Sequence, residues 1–140
     1  MKKKLRPIKD KNEGSVRTDV VKLVARSGLP WTDTSAAAKG GSRYRHKVKK
    51  DWPDITLGIP TYDHQNRRIL QLGLIELKAP KYGRLSGGQR NFLVQMAEQG
   101  AAVCVANSLE SVKDWLDDLM EDYDNGTSNS SQTFPPPIAL

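Results

Sequence analysis

Sulfur, histidine and aromatic side chains are all scarce in this chain. Of its 140 residues one is cysteine, two are histidine and 6% are aromatic. Cys104 stands alone within the apolar run Ala101–Ala106, which excludes an internal disulfide. With only His46 and His64 beside it, too few nitrogen and sulfur donors remain for a zinc site. No apolar stretch approaches the roughly 18 residues of a membrane span. The basic start, Met1 to Leu5, lacks the apolar segment of a secretion signal. These absences predict an intracellular protein that does not enter a membrane.

Positive charge is abundant but unevenly spread. Residues 1–50 hold 15 Lys/Arg against 4 Asp/Glu, whereas residues 51–140 hold 7 against 12. A basic half of this kind suits a polyanion, because each phosphate neutralised releases condensed counterions. The plainer alternative is a solvated basic surface that only aids solubility.

Along the chain, residues 1–12 read as a basic arm, 13–123 as a single folded domain and 124–140, rich in Ser and Asn and then Pro135-Pro-Pro137, as a disordered tail. Val16, Val20, Leu23 and Val24 recur at helical spacing from about Gly14 to Ser27, and Gly28-Leu-Pro30 ends that helix. Ala36-Ala-Ala38 is a candidate strand, followed by a basic, Gly-rich loop to Lys50. Asp54–Ile59 and Ile69–Lys78 read as strands on either side of the polar stretch Pro60–Arg68. Ser86–Gln99 reads as a helix, Ala101–Ala106 as a strand covered on both faces, and Asn107 with Glu110 as the capping box of a last helix. That helix carries the stripe Leu109, Val112, Leu116, Leu119 and Tyr123. The order α-β-β-β-α-β-α predicts an α/β domain, a mixed central sheet flanked by helices.

Two charged residues interrupt the apolar strand Leu74-Ile-Glu-Leu-Lys78. Strand side chains alternate, so Glu76 and Lys78 share a face, and burying either requires a partner or a metal. Asp54 opens the preceding strand. In an antiparallel hairpin, facing residues have a constant index sum, and 54 plus 76 centres the turn on Gln65, the middle of the polar stretch. The simplest register therefore sets Asp54 opposite Glu76, with Lys78 next along. Two adjacent carboxylates repel unless a cation sits between them, and all-oxygen ligation favours Mg²⁺ or Mn²⁺. Such an ion activates water and stabilises charge on a phosphodiester, with the Lys78 ammonium beside it. The competing reading is a structural Glu–Lys ion pair with Asp54 as a turn residue.

Trp52-Pro-Asp-Ile55, Ile75-Glu-Leu-Lys-Ala-Pro80, Gly83-Arg-Leu-Ser86 with Gln89, and Gly100-Ala-Ala-Val103 occur in an order that resembles the VRR-NUC branch of the PD-(D/E)xK nucleases, over roughly residues 13 to 118. The resemblance implies a restriction-endonuclease-like core in which Asp54 and Glu76 bind the metal and Lys78 lies near the attacking water. It also implies that the Leu77 carbonyl completes the metal's inner shell. The family's first-helix glutamate falls on Glu13, whose alternative role is an exposed acid favourable at a helix N-terminus. Its active-site glutamine falls on Gln89, which with Ser86 also forms a capping box. Leu85-Ser-Gly-Gly-Gln matches the signature of ABC-transporter ATPases as well, but the phosphate-binding loop that such a domain requires is missing.

Lys39, Arg43, Arg45, Lys47, Lys49 and Lys50 precede Asp54 and are the candidates for guiding DNA to it, with Lys81 and Arg84 on the far side. Trp31 and Trp52 read as core residues, whereas Tyr44 suits either a base or plain solvent. The resulting expectation is a Mg²⁺- or Mn²⁺-dependent DNA endonuclease, selective for branched or four-way DNA as Holliday-junction resolvases are, and acting as a homodimer. Trp115 and Met120 widen the apolar stripe of the last helix into a candidate dimer surface; alternatively Trp115 caps the monomer core. The competing functions are a non-enzymatic basic DNA-binding module and a sequence-specific restriction-type nuclease.

Overall fold

A computed structural model describes residues 13–35, 49–80 and 83–126. The proposed arm, most of the basic loop (with Lys39, Arg43, Tyr44, Arg45 and Lys47), Lys81 and most of the tail lie outside them, as does Ala36-Ala-Ala38. The elements run α1 (Glu13–Arg26), β1 (Trp31–Asp33), β2 (Ile55–Tyr62), β3 (Arg68–Leu77), α2 (Gly87–Glu98), β4 (Ala102–Ala106) and α3 (Leu109–Asp124). The strands form one sheet in the order β1-β2-β3-β4, antiparallel except for the parallel β3–β4 pair. A parallel pair needs a long crossover, and α2 supplies it.

The first strand is Trp31–Asp33, earlier than the alanine run that the sequence suggested. Only three residues long, it pairs with Ile55–Leu57, and beyond Gly58 the outer edge of β2 has no strand neighbour among the described residues. Pro60 occupies that open edge, where a missing N–H removes no ladder bond and discourages pairing with another chain.

The β2–β3 hairpin has the expected register, Ile55 opposite Ile75 through Tyr62 opposite Arg68. Its turn is closed by Asp63, whose Oδ1 accepts from the Gln65 and Arg67 amides at 2.9 Å each. Asn66 takes the left-handed φ of 59° that the turn demands.

Regular alternation splits the core in two. Odd-numbered residues of β2 and β3 (Ile55, Leu57, Ile59, Ile75, Leu77) pack with Val16, Val20 and Val24 of α1 and Val112, Trp115 and Leu116 of α3. On the other face Leu74 and Val103 pack against Phe92 and Leu93 of α2, with Trp52 alongside. The two faces of β4 are shared between these clusters, which explains its unbroken apolar sequence. Burial pushes the Cys104 thiol up to about 12, so it acts as a small apolar group rather than a ligand or nucleophile.

Helix ends follow local chemistry. Ser86 caps α2 within a capping box completed by Gln89. For α3 the cap is Ser108, which accepts from the Ser111 amide, not Asn107 with Glu110. Trp115 is buried in the α1–α3 core, so it caps the monomer core rather than widening an exposed stripe on α3. Among the described residues no helix is long and apolar enough to cross a membrane.

Ile75 is fully buried between Ile55 and the helices, whereas Leu70 is 65% exposed on the same strand. Ile75→Ala should lose about 2–5 kcal/mol in chemical denaturation through the cavity it leaves. Leu70→Ala should stay within about 0.5 kcal/mol.

Candidate active site

The hairpin register brings Asp54 to Glu76, because Asp54 directly precedes Ile55, the last residue paired with β3. A left-handed turn at Asp51 (φ 68°) and the buried Pro53 deliver Asp54 to this point. The Thr34 amide donates to the Asp54 carbonyl at 2.8 Å, so β1 holds the main chain from the other side. The Asp54 carboxylate is nearly enclosed. Its Oδ2 accepts from the Leu77 N–H at 2.8 Å, and its Oδ1 accepts from Arg17 Nη2 of α1, also at 2.8 Å. In an extended strand the N–H and C=O of one residue face the same neighbour, so the Leu77 carbonyl is turned to the Asp54 side as well.

Glu76 is 4% exposed. Its Oε1 accepts from Gln89 Nε2 at 3.0 Å and lies 3.3 Å from Lys78 Nζ. Lys78 Nζ donates to Gln89 Oε1 at 2.9 Å, closing a triangle of Glu76, Lys78 and Gln89. The same Gln89 oxygen accepts from the Ser86 amide at 3.0 Å, so Gln89 caps the helix and contacts Lys78 and Glu76 at once. Gly83 makes this closeness possible. A Cβ there would meet Ala79 N at 2.5 Å and Lys78 Cβ at 2.7 Å, so only glycine lets the chain double back towards α2.

Burial pushes the Glu76 carboxyl up to about 7, with the charge of Asp54 acting in the same direction. Lys78 partly opposes this, and the charge of Glu13 adds a smaller upward push. Glu13 is the first residue of α1, its side chain half-exposed and 3.7 Å from Arg17, close enough for its charge to reach Glu76.

Lys49, Lys50 and Arg84 are exposed, and Lys49 Nζ sits 5.3 Å from the Phe92 ring centroid, beside α2. Trp52 packs against Phe92 with the rings tilted by 49° and donates to Thr56 Oγ1 at 2.7 Å, as a core residue would. Arg17 and Asp33, whose carboxylate lies 4.0 Å from the guanidinium, were not singled out in the sequence. The Glu13–Arg17 spacing of four was the available signal, but it shows only that the two share a helix face.

Among the described residues no three His, Cys, Asp or Glu side chains cluster as a metal cage. Two buried carboxylates with a main-chain carbonyl nevertheless fit Mg²⁺ or Mn²⁺, since Mg²⁺ commonly takes one or two carboxylates and fills its shell with water and phosphate oxygens. Burial raises Glu76 most, and the Asp54 charge that adds to it is what a dication would relieve.

No family model matches the chain, and no curated protein does. A solved structure described as a VRR_NUC domain protein shares its fold, with a TM-score of 0.57 at 20% identity, over 86% of this chain and 94% of that one. The fold is therefore restriction-endonuclease-like, as the order of elements and motifs implied.

In metal-free protein the Glu76 carboxyl keeps its proton to about 7, against 4.5 for an ordinary glutamate. Between these values the folded state binds more protons than the unfolded state. This group's contribution to stability therefore falls as pH rises from about 4.5 through about 7 and then levels off. Melting temperatures recorded in EDTA should show Glu76→Gln flattening this fall and gaining stability at pH 8.

Proposed function

We propose that the protein is a divalent-metal-dependent DNA endonuclease, with Asp54, Glu76 and the Leu77 carbonyl holding Mg²⁺ or Mn²⁺. The observation that carries this reading is the convergence of Asp54, Glu76, Lys78 and Gln89, from three separate elements, on a fold shared with a VRR_NUC domain protein. The bound ion would supply an activated water and screen the phosphodiester. Lys78, held by Gln89 and Glu76, would offer its ammonium to the charge developing on the phosphate. Gln89 positions both Lys78 and Glu76, and Glu13 adds a carboxylate at the rim. Lys49, Lys50 and Arg84, with Lys39, Arg43, Arg45, Lys47 and Lys81 in the segments not described, are the cationic contacts to the DNA backbone.

One observation favours the non-enzymatic alternative: Asp54 and Glu76 each already have a cationic partner, as structural ion pairs do. Cleavage assays separate the two readings. Asp54→Ala, Glu76→Ala and Lys78→Ala should each slow cleavage about a hundredfold or more, and Gln89→Ala about tenfold. EDTA should abolish cleavage, Mg²⁺ or Mn²⁺ restore it, and Zn²⁺ support little. Wild-type rates from Glu76→Ala, or full activity in EDTA, would remove this site from the chemistry.

Branched or four-way DNA is the preferred substrate in this proposal, since the available cations suit phosphates more than base edges. Symmetric cutting of two strands needs two sites related by a twofold axis, hence a homodimer acting in replication, recombination or repair. Sedimentation at micromolar concentration should give a dimer, and four-way DNA should be cut faster than linear duplex of equal length. A monomer that cuts both equally would overturn the junction reading, and discrete plasmid fragments would favour a restriction-type enzyme instead.

A further inference from the structure

Arg17 is the ion-pair partner of Asp54, and the chemistry proposed above leaves it without a task. Its Nη2 holds Asp54 Oδ1 at 2.8 Å, while Oδ2 is committed to the Leu77 amide at the end of the ladder. Each oxygen keeps a further lone pair, and Oδ1 is the one beside the guanidinium, so a cation taken up by this carboxylate meets Arg17. A dication between Asp54 and Glu76 would lie close to the guanidinium, where repulsion between charges of +2 and +1 is strong even with good screening.

The guanidinium has other acceptors within a small movement. Glu13 Oε1 is 3.7 Å from Nη2 and Asp33 Oδ1 is 4.0 Å from Nη1. Both distances are too long for hydrogen bonds yet short enough for a rotation of the side chain to close them. Nη1 is also buried without a hydrogen-bond partner among the described residues, so the present pose leaves one strong donor unsatisfied. Asp54 holds Arg17 firmly through one nitrogen, and the rest of the group is poised to shift.

Resting on the metal-dependent reading above, we infer that Arg17 is an internal counter-ion that competes with the divalent metal for Asp54, so that metal loading requires the guanidinium to swing towards Glu13 and Asp33. Without metal, Arg17 offsets part of the Asp54 charge, and the remainder still pushes Glu76 up. A DNA phosphate arriving at the site offers Arg17 another acceptor and so eases metal loading, and by linkage metal tightens DNA to the same degree. Arg17 is a positioning residue in this scheme, setting metal affinity rather than touching the reacting atoms.

Mn²⁺ titration of the full chain without DNA, following free Mn²⁺ by electron paramagnetic resonance, tests this directly. Removing the charge in Arg17→Gln should tighten Mn²⁺ binding about tenfold, whereas Arg17→Lys should stay close to wild type. In Arg17→Gln, a short duplex should also enhance Mn²⁺ binding less than it does in wild type. A brace that merely holds Asp54 in place would give the opposite result, weaker binding on its loss. Unchanged or weaker Mn²⁺ binding by Arg17→Gln, at a site that Glu76→Gln abolishes, overturns the role of Arg17 alone. No Mn²⁺ binding by either wild type or Arg17→Gln overturns the metal reading with it. Should circular dichroism show Arg17→Gln unfolded, Arg17→Met, which keeps the apolar stem, carries the same comparison.

Discussion

The hydrogen bond from the Leu77 amide to the Asp54 carboxylate extends the β2–β3 ladder one step past its last main-chain pair. A side chain here does the work of a backbone carbonyl, tying the acid to the neighbouring strand. Slipping that pairing by one residue would turn Glu76 and Lys78 to the α1–α3 face, beside Ile55 and Leu57, and send Ile75 and Leu77 out of that core. Branched side chains on both strands oppose such a slip, because each already fills the core. The acidic pair is therefore located by hydrophobic packing, and its own repulsion is tolerated because the hairpin leaves it no alternative place.

Much of this could be read in the sequence because it depends on period and register. The hairpin follows from index arithmetic around Gln65, since no bulge intervenes. Gln89 follows from the Ser86 cap, and the two-sided burial of β4 from its unbroken apolar run. What could not be read depends on distance in space. β1 is too short for alternation to declare itself, and it exists because Thr34 and Pro30 hydrogen-bond across to Asp54 and Gly58. Arg17 meets Asp54 across 37 positions, a contact that no local pattern encodes. Trp115 looked like surplus apolar area on α3 because a helical wheel does not show how deeply α1 and the sheet enclose it.

Charge is concentrated rather than balanced locally. Glu13, Asp33, Asp54 and Glu76 face Arg17 and Lys78, an excess of acid over base around the site. The abundant lysines and arginines of the first fifty residues fall mostly in segments outside the described structure. The acidic excess is the charge which the metal-dependent reading proposes a cation to offset.

Gln89 bonds both the helix end and the charged pair on the neighbouring strand. The oxygen that receives the Ser86 amide also receives Lys78, so the first turn of α2 and the alignment of the lysine share one acceptor. Helix ends fray at temperatures where the body of a domain remains folded. When this end frays, Lys78 loses its anchor while the strand that bears it stays in place. Heat would loosen this triangle before it melts the sheet, and its contacts would re-form on cooling without the chain having to refold.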